Sequence, residues 1–500
     1  MLCRIVLIGI MGISPALAQE AAGWRTDGTG KYPSATPVTE WSTTKNVVWK
    51  TKMPSWGNAT PVLAGGKIFV CSEPATLVCV DAKDGKILWT KANTYIDTLA
   101  PDDAARARAD VKKAEELAAQ MKPVENELRT IGNEQKKIGQ ELKKIADVLK
   151  PRPNPPPGQP DPSEEERKQD EARTAELKKR AEDLNKRLAE LKLRAEAPRR
   201  QLDELKKQRS RLKLYRRPAT ADANGYSSST PVSDDTHVYA LFGNGVAACY
   251  DLAGNRRWIT LVERPKHGWG HSASPVLAGG KLIVHILGLT ALDATTGKVA
   301  WRTKAAVRWG TAVVTRVGDV DVLVTPAGDI VRITDGKALA RNVSGLTYCA
   351  PIVHDGIAYF VEHGGKAVQL SPGPENGVTV KPLWTTRPRN DRYYASPVLH
   401  DGLIYAITQN AHFSVIDAKT GAIVHQRPLK FGGGQAYSSV TLAGPHLFLS
   451  RQDGTTVVMT LGREPKQVAM NKLELFRCCP VFDGKRMYIR AAANLYCIGE

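Results

Sequence analysis

Two short stretches of this chain concentrate side chains able to do chemistry. Lys266-His267-Gly268-Trp269-Gly270-His271 sets two imidazoles four residues apart in a glycine-rich loop. Such a pair can ligate a metal, but a tetrahedral site takes a third and often a fourth ligand, and no Asp, Glu or Cys lies close in sequence. No metal is expected there. Cys478 and Cys479 are adjacent, and an oxidising compartment would let them close a strained disulfide ring. The plainer reading is packing of small residues, because Ser229 and Ser438-Ser439 fill matching positions elsewhere.

A third set is dispersed along the chain. Trp56, Tyr226, Trp269, Trp309, Tyr348, Tyr393 with Tyr394, Tyr437 and Phe476 each stand just before an apolar run. Asn58, His267, His271, Arg308, Arg389, Arg392 and Arg477 are their polar neighbours. Ring faces with a few convergent polar groups are what a concave binding site needs; the same rings would also serve as packing wedges. The candidate binding residues are therefore Trp56, Asn58, Tyr226, His267, Trp269, His271, Arg308, Trp309, Tyr348, Arg392, Tyr393, Tyr437 and Arg477. No catalytic residue is assigned, since the chain carries no phosphate loop, nucleophile elbow, HExxH or Asp-rich calcium loop.

These positions are spaced by a repeat. Ala273 to Trp301 shows it: Ser274-Pro275-Val276, Gly279-Gly280, two short apolar runs, Asp293, Thr296-Gly297 and Trp301. Apolar runs of four to six residues punctuated by Gly, Asp and Thr read as strands joined by hairpins. Copies open at Pro61, Pro231, Pro275, Val314, Pro351, Pro397, Val440 and Pro480, mostly about 37 to 46 residues apart, which suits a four-stranded unit. The last copy stops at Cys497-Ile498-Gly499, where an outer strand is due. Asn46 to Lys52, NVVWKTK, resembles the outer strand Lys86 to Lys91, KILWTK. A strand from one terminus completing the sheet of the other would close a ring and hide its edges.

One interval breaks the pattern. Leu117, Met121, Val124, Leu128, Ile131, Ile138, Leu142, Ile145 and Leu149 keep three- and four-residue steps, as do Leu177, Ala181, Leu184, Leu188, Leu191, Ala195, Leu202, Leu205 and Leu212. Proline-rich Lys150 to Ser163 separates them and cannot continue a helix. Two such ladders predict an antiparallel coiled-coil hairpin of two helices, each about 60 to 70 Å long at 1.5 Å per residue. A reach toward a partner and a neutral insertion are both open readings of it.

The expected architecture is all-β: an eight-bladed β-propeller closed by the N-terminal strand, with an inserted α-helical antiparallel hairpin. Its divisions are a signal peptide over 1–18, propeller over 19–95, hairpin over 96–218 and propeller over 219–500. The signal peptide rests on Arg4, the apolar run Ile5 to Ile13 and Ala16-Leu17-Ala18. It predicts an exported protein, periplasmic or extracellular, and no later segment approaches the ~20 apolar residues of a transmembrane helix. Formal charge is +19, of which about +8 lies between Pro101 and Pro218. A basic exported protein can attract an anionic envelope polymer, but no nucleic-acid module is present, so no specific nucleic acid is expected. Removing the leader leaves seven cysteines; Cys79, Cys249 and Cys497 share one repeat slot with Ala291 and Val415, as small buried residues would. Whether Cys71 reaches Cys79 depends on hairpin register.

The repeat resembles that of the pyrroloquinoline-quinone-like β-propeller family, on Ser274-Pro275-Val276 with Asp293 to Trp301, Thr60-Pro61-Val62 with Asp81 to Trp89, and Ser396-Pro397-Val398 with Asp417 to Gly421. That family holds quinone-dependent dehydrogenases and non-catalytic scaffolds, among them a lipoprotein subunit that assists outer-membrane β-barrel assembly. The dehydrogenase branch implies a quinone between a tryptophan and a vicinal disulfide, a calcium ion and a catalytic aspartate; calcium ligands and aspartate match no motif here. The leading expectation is a non-enzymatic scaffold without cofactor, binding a protein partner or an anionic envelope polymer. The alternative is a pyrroloquinoline-quinone- and calcium-dependent dehydrogenase of alcohols or sugars.

Overall fold

Each repeat copy folds as predicted into short strands paired with their sequence neighbours. The structure, a computed structural model, describes residues 22–150 and 163–500. The expected signal peptide lies outside the described residues, as does the proline-rich connector between residues 151 and 162. The chain divides into two compact units, Met1–Thr98 with Arg217–Glu500, and Leu99–Arg216.

The described residues of the first unit form eight sheets. The first sheet is Val62–Ala64, Lys67–Ser72, Thr76–Asp81 and Ile87–Ala92, and the third, which shows the repeat in its clearest form, is Val276–Ala278, Lys281–His285, Leu289–Asp293 and Val299–Thr303. Contacts between successive sheets run between their first strands, for example Val62–Ala64 with Val232–Ser233 and Val232–Ser233 with Val276–Ala278, which places those strands innermost. The middle strands are buried on both faces, so Ile68, Phe69, Val70, Leu77 and Val78 are fully covered; a continuous apolar run is the sequence form of such a strand. Register pairs Cys71 with Leu77 and Phe69 with Cys79, so the two cysteines are not opposite one another, and both are free buried thiols.

Two devices join the sheets. On the outside, an indole from one sheet covers the glycine turn of the next, which reads Asp-x-x-Thr-Gly at Asp293–Gly297 and Asp417–Gly421. Trp258 Nε1 donates to Ala294 O at 2.8 Å, Trp301 Nε1 to Ile333 O at 2.9 Å and Trp384 Nε1 to Ala418 O at 2.9 Å. Asp293 Oδ1 holds the turn by accepting from Thr296 N and Thr296 Oγ1, both at 2.8 Å, and these bonds lower the carboxyl's pKa. Gly297 (φ +70°) lies so close under Trp258 that a Cβ would sit 2.6 Å from the ring. The repeat's Asp, Thr, Gly and Trp are thus one contact. His425 stands in the tryptophan slot of the sixth sheet, and its Nε2 finds no partner among the described residues.

On the inside, the residue before each inner strand lends a hydroxyl to its neighbour. Cys479 N donates to Thr60 Oγ1, Thr60 N to Thr230 Oγ1, Thr230 N to Ser274 Oγ and Ser274 N to Thr311 Oγ1. Ala350 N donates to Ser396 Oγ and Ser396 N to Ser439 Oγ. All lie between 2.9 and 3.2 Å. The girdle is interrupted only where Ala350 and Cys479 take the hydroxyl position.

The ring closes as anticipated. Strand β2 (Val47–Lys52) pairs antiparallel with Asn494–Ile498, completing the last sheet, and Trp49 Nε1 reaches Ala82 O of the first at 3.3 Å. The segment before it does something the repeats do not announce. Strand β1 (Lys31–Tyr32) adds to the seventh sheet, parallel to Thr441–Ala443. Ala22 bridges Ser233, and Arg25, 2% exposed, donates to Pro397 O and Val440 O at 2.9 and 2.8 Å. Those carbonyls lie one residue beyond girdle positions Ser396 and Ser439, so residues 22–32 cork the axis.

In the second unit, α1 (Pro101–Val148) and α2 (Glu164–Ser210) pack along the two predicted ladders. Leu117, Met121 and Val124 meet Leu202 and Leu205, and Ile131 and Ile138 meet Leu191 and Ala195. Ser163 and Glu166 form a reciprocal capping box at the start of α2. Ion pairs Glu141–Arg180 and Glu127–Arg194 set an antiparallel register, which puts Pro123 of α1 level with Pro198 of α2.

Candidate functional site

Directly above the cork, the innermost ends of the sheets enclose a cavity of about 170 Å³. Trp24 lies in its lining, with the girdle hydroxyls of Thr60, Thr230, Ser274, Thr311, Ser396 and Ser439, the Cys479 thiol and, toward the mouth, Trp269, Trp309, Tyr348, Tyr394 and Tyr437. Asn58, Asn224, Ser228 and Arg477 complete the polar side. The lining contains no Asp or Glu.

The aromatic groups form a continuous arc. His267 meets the Trp309 ring edge-on with centroids 4.8 Å apart, and Trp309 lies 5.7 Å from Tyr348. Tyr348 meets Tyr394 edge-on at 4.9 Å, and Tyr394 stacks on Tyr437 at 4.9 Å and 12°. The Arg477 guanidinium stands 5.5 Å from the Tyr437 centroid, and its Nη1 lies 3.5 Å from Asn58 Oδ1. Asn58 Nδ2 donates to Ala223 O and Asn224 O, and Asn224 Nδ2 returns to Trp269 O at 2.9 Å. Rings and amides therefore run right round the mouth.

Of the thirteen candidate residues, Asn58, Trp269, Trp309, Tyr348, Tyr437 and Arg477 line the cavity. The others stand elsewhere. Tyr393 is buried in the core, its hydroxyl on Arg389 O at 3.0 Å; neighbouring Tyr394 enters the cavity instead and hydrogen-bonds Arg392 Nη1. Successive residues of an extended chain point to opposite sides, so only one of the pair can face the axis. His271 is buried beside His285, and burial, reinforced by the mutual repulsion, pushes its pKa down to about 4; His285 is likewise at about 4 through burial. His267 is exposed and turned to Trp309. The loop's two histidines thus serve different surroundings, and no group of three or more His, Cys, Asp or Glu able to hold a metal occurs among the described residues. Tyr226 donates its hydroxyl to Pro218 O. Arg308 bonds the carbonyl of Val307. Trp56 is 37% exposed outside the lining.

Residue types alone did not reveal Trp24, Asn224 or the hydroxyl girdle. The girdle did have a signal, the Ser or Thr that precedes four of the six repeat prolines.

Cys478 and Cys479 are buried free thiols. Burial raises the Cys478 pKa, with Cys479 adding to the shift. A quinone with calcium is the group that the dehydrogenase branch implies. Calcium takes six to eight oxygen ligands, usually with carboxylates among them, and this lining supplies none. The residues present do not fit that group.

A family model described as outer membrane protein assembly factor BamB matches residues 35–119 and 243–470. None of the curated proteins matches the chain. Among solved structures, a europium-containing methanol dehydrogenase is 10% identical and covers 96% of this chain and 98% of its own, with a TM-score of 0.51. BamB from Moraxella catarrhalis is 12% identical over 57% of this chain and 81% of its own, at a TM-score of 0.40. A quinohemoprotein alcohol dehydrogenase from Comamonas testosteroni is 12% identical over 96% and 80%, at 0.47. At such identities the likeness is one of fold, and it is a propeller fold. No helix among the described residues is long and apolar enough to cross a membrane.

Proposed function

This chain belongs to the family described as outer membrane protein assembly factor BamB, and on that premise we propose that it is an exported, non-catalytic scaffold. It binds a partner protein through the rim of rings and guanidinium groups on its first unit, and its helical hairpin offers a second contact surface. The observation that carries this reading is the composition of the mouth: tryptophan, tyrosine and arginine without a carboxylate, a nucleophile–base pair or a metal-ligand cluster. Those three residue types dominate the energetically decisive centres of protein interfaces. They favour a protein over the anionic envelope polymer that the net charge alone would also attract.

The test is capture from envelope extract on the immobilised chain, comparing wild type with Trp269→Ala/Tyr394→Ala. Recovery of the wild type's specific partner falls at least tenfold in the variant, matching the loss of more than about 1.4 kcal/mol expected of interface anchors. Undiminished recovery would refute the rim as the binding surface. Pyrroloquinoline quinone added with calcium gives no tight chromophore and no dye-linked alcohol oxidation; if both appear, the protein is an enzyme and the scaffold reading is wrong.

A further inference from the structure

We propose that the C-terminal half of α2 is a docking surface for an anionic lipid bilayer, with its outward lysines and arginines on the charged headgroups and Leu193 at the boundary beneath them. This goes beyond the scaffold reading and does not depend on it, because the surface is complete within the second unit.

Charge is segregated along the hairpin. From Lys192 to Lys213 the chain carries nine Lys and Arg against Glu196, Asp203 and Glu204. The first part of the same helix, Glu164 to Glu190, carries eight against nine. Arg108 to Arg129, the stretch of α1 level with the basic segment, carries five against five. The excess therefore does not serve to attract α1, and charge kept for solubility alone would have no reason to collect in one segment. Of the nine cations, Arg194 alone has an ion-pair partner among the described residues, Glu127 at 4.0 Å.

Helix geometry puts these cations on the free side. Residues seven apart return to nearly the same side of a helix, so Lys192, Arg199 and Lys206 make one row and Leu193, Arg200 and Lys207 a second. All six are exposed. They point away from the seam, where Leu191, Ala195, Leu202 and Leu205 are buried against α1. Glu196 and Asp203 lie between the rows and offset two of the five charges, which leaves the strip positive.

Leu193 decides which polyanion fits. At 69% it is the most exposed large apolar side chain among the described residues, and it heads a row of cations. A phosphate backbone or a polysaccharide offers it nothing, whereas the boundary between headgroups and acyl chains takes an apolar side chain flanked by basic ones. Each Lys or Arg held near an anionic leaflet adds to the attraction. No aromatic residue occurs from Lys192 to Leu214, so the stacking platform that a single-stranded nucleic acid uses is absent.

Vesicles are the probe. The full chain cosediments with phosphatidylcholine vesicles containing about one third phosphatidylglycerol and not with phosphatidylcholine alone. Binding weakens as salt shortens the screening length from ~10 Å at 0.1 M to ~3 Å at 1 M. Lys192→Gln/Arg199→Gln/Arg200→Gln/Lys206→Gln/Lys207→Gln binds at least tenfold more weakly. Gln matches Lys and Arg in helix propensity and the seam is untouched, so the circular dichroism spectrum is unchanged. Lys168→Gln/Arg173→Gln/Lys178→Gln/Lys179→Gln/Arg187→Gln, which removes as much charge elsewhere on α2, changes binding less than twofold. Leu193→Ala weakens vesicle binding severalfold and leaves retention on dextran sulfate unchanged. Absence of binding to the anionic vesicles, or equal losses from the two sets of replacements, overturns the surface. Undiminished vesicle binding by Leu193→Ala marks a general polyanion patch and overturns the choice of lipid. None of these replacements touches the rim of the first unit, so their failure is distinct from failure of the scaffold reading.

Discussion

The backbone N–H of Cys479 donates to Thr60 Oγ1 at 3.1 Å across 419 residues of chain. That bond joins the last sheet to the first at the axis, while β2 makes the same junction at the periphery. Thr60→Val leaves a buried N–H without an acceptor, which costs about 1–3 kcal/mol. Thr60→Ser keeps the acceptor. Urea denaturation of both variants should show a lowered midpoint for valine and a near wild-type midpoint for serine.

Gly297 and Gly280 separate two effects. Both have a positive φ, +70° and +67°, but a Cβ at 297 meets the Trp258 ring at 2.6 Å whereas one at 280 meets open space. Gly280→Ala therefore loses about 1–2 kcal/mol to backbone strain, and Gly297→Ala adds about 1–3 kcal/mol of crowding. Similar melting temperatures for the two would contradict the role assigned to the indole.

The buried histidines make stability depend on pH in a known direction. Burial lowers His271 and His285 to about 4, so below about pH 6.5 the unfolded chain takes up protons that the folded chain refuses. Stability contributed by these two residues falls as pH drops from about 6.5 to about 4 and then levels off. Glu73 and Glu362, both raised by burial, act oppositely: their contribution is present at low pH and is lost as pH rises. Comparing the denaturation midpoint of wild type and His271→Asn at pH 7 and 4.5 isolates the histidine term. The wild type should lose more than the variant.

Pro123 and Pro198 stand at one level of the hairpin, and each removes an interior helical hydrogen bond. Pro123 is exposed, so Pro123→Ala restores a donor without disturbing the buried seam. The helical unit should gain about 1–3 kcal/mol, less than the full ~3 kcal/mol of an interior proline because the native helix already accommodates it. Amide exchange around residues 119–127 reads the gain as slower opening.

The fold was legible because its signals are redundant. Asp293, Gly297 and Trp301 have counterparts in register in Asp81, Gly85 and Trp89, and Trp258, Trp301 and Trp384 make the same indole contact. The hairpin was legible from Leu117 to Ile145 for a similar reason, a single apolar stripe kept over many turns. The site was only half legible. Trp309 and Arg477 announce themselves by type, but whether Tyr393 or Tyr394 faces the axis is a matter of one residue's register. Thr60 and Ser439 are too common as residue types to stand out until their bonds link sheet to sheet. Arg25 and Trp24 belong to no repeat, and the parallel pairing of β1 leaves no periodic trace in two residues.

The cork has a consequence for the order of events in the cell. Arg25 bonds to residues 372 and 415 positions further along, and β1 needs the seventh sheet as its neighbour. Residues 22–32, made early in synthesis, are therefore among the last to find their place. Until the C-terminal sheets have been made, the leading end must wait unpaired, and whatever chaperones the growing polypeptide has to keep that end from settling on the wrong edge.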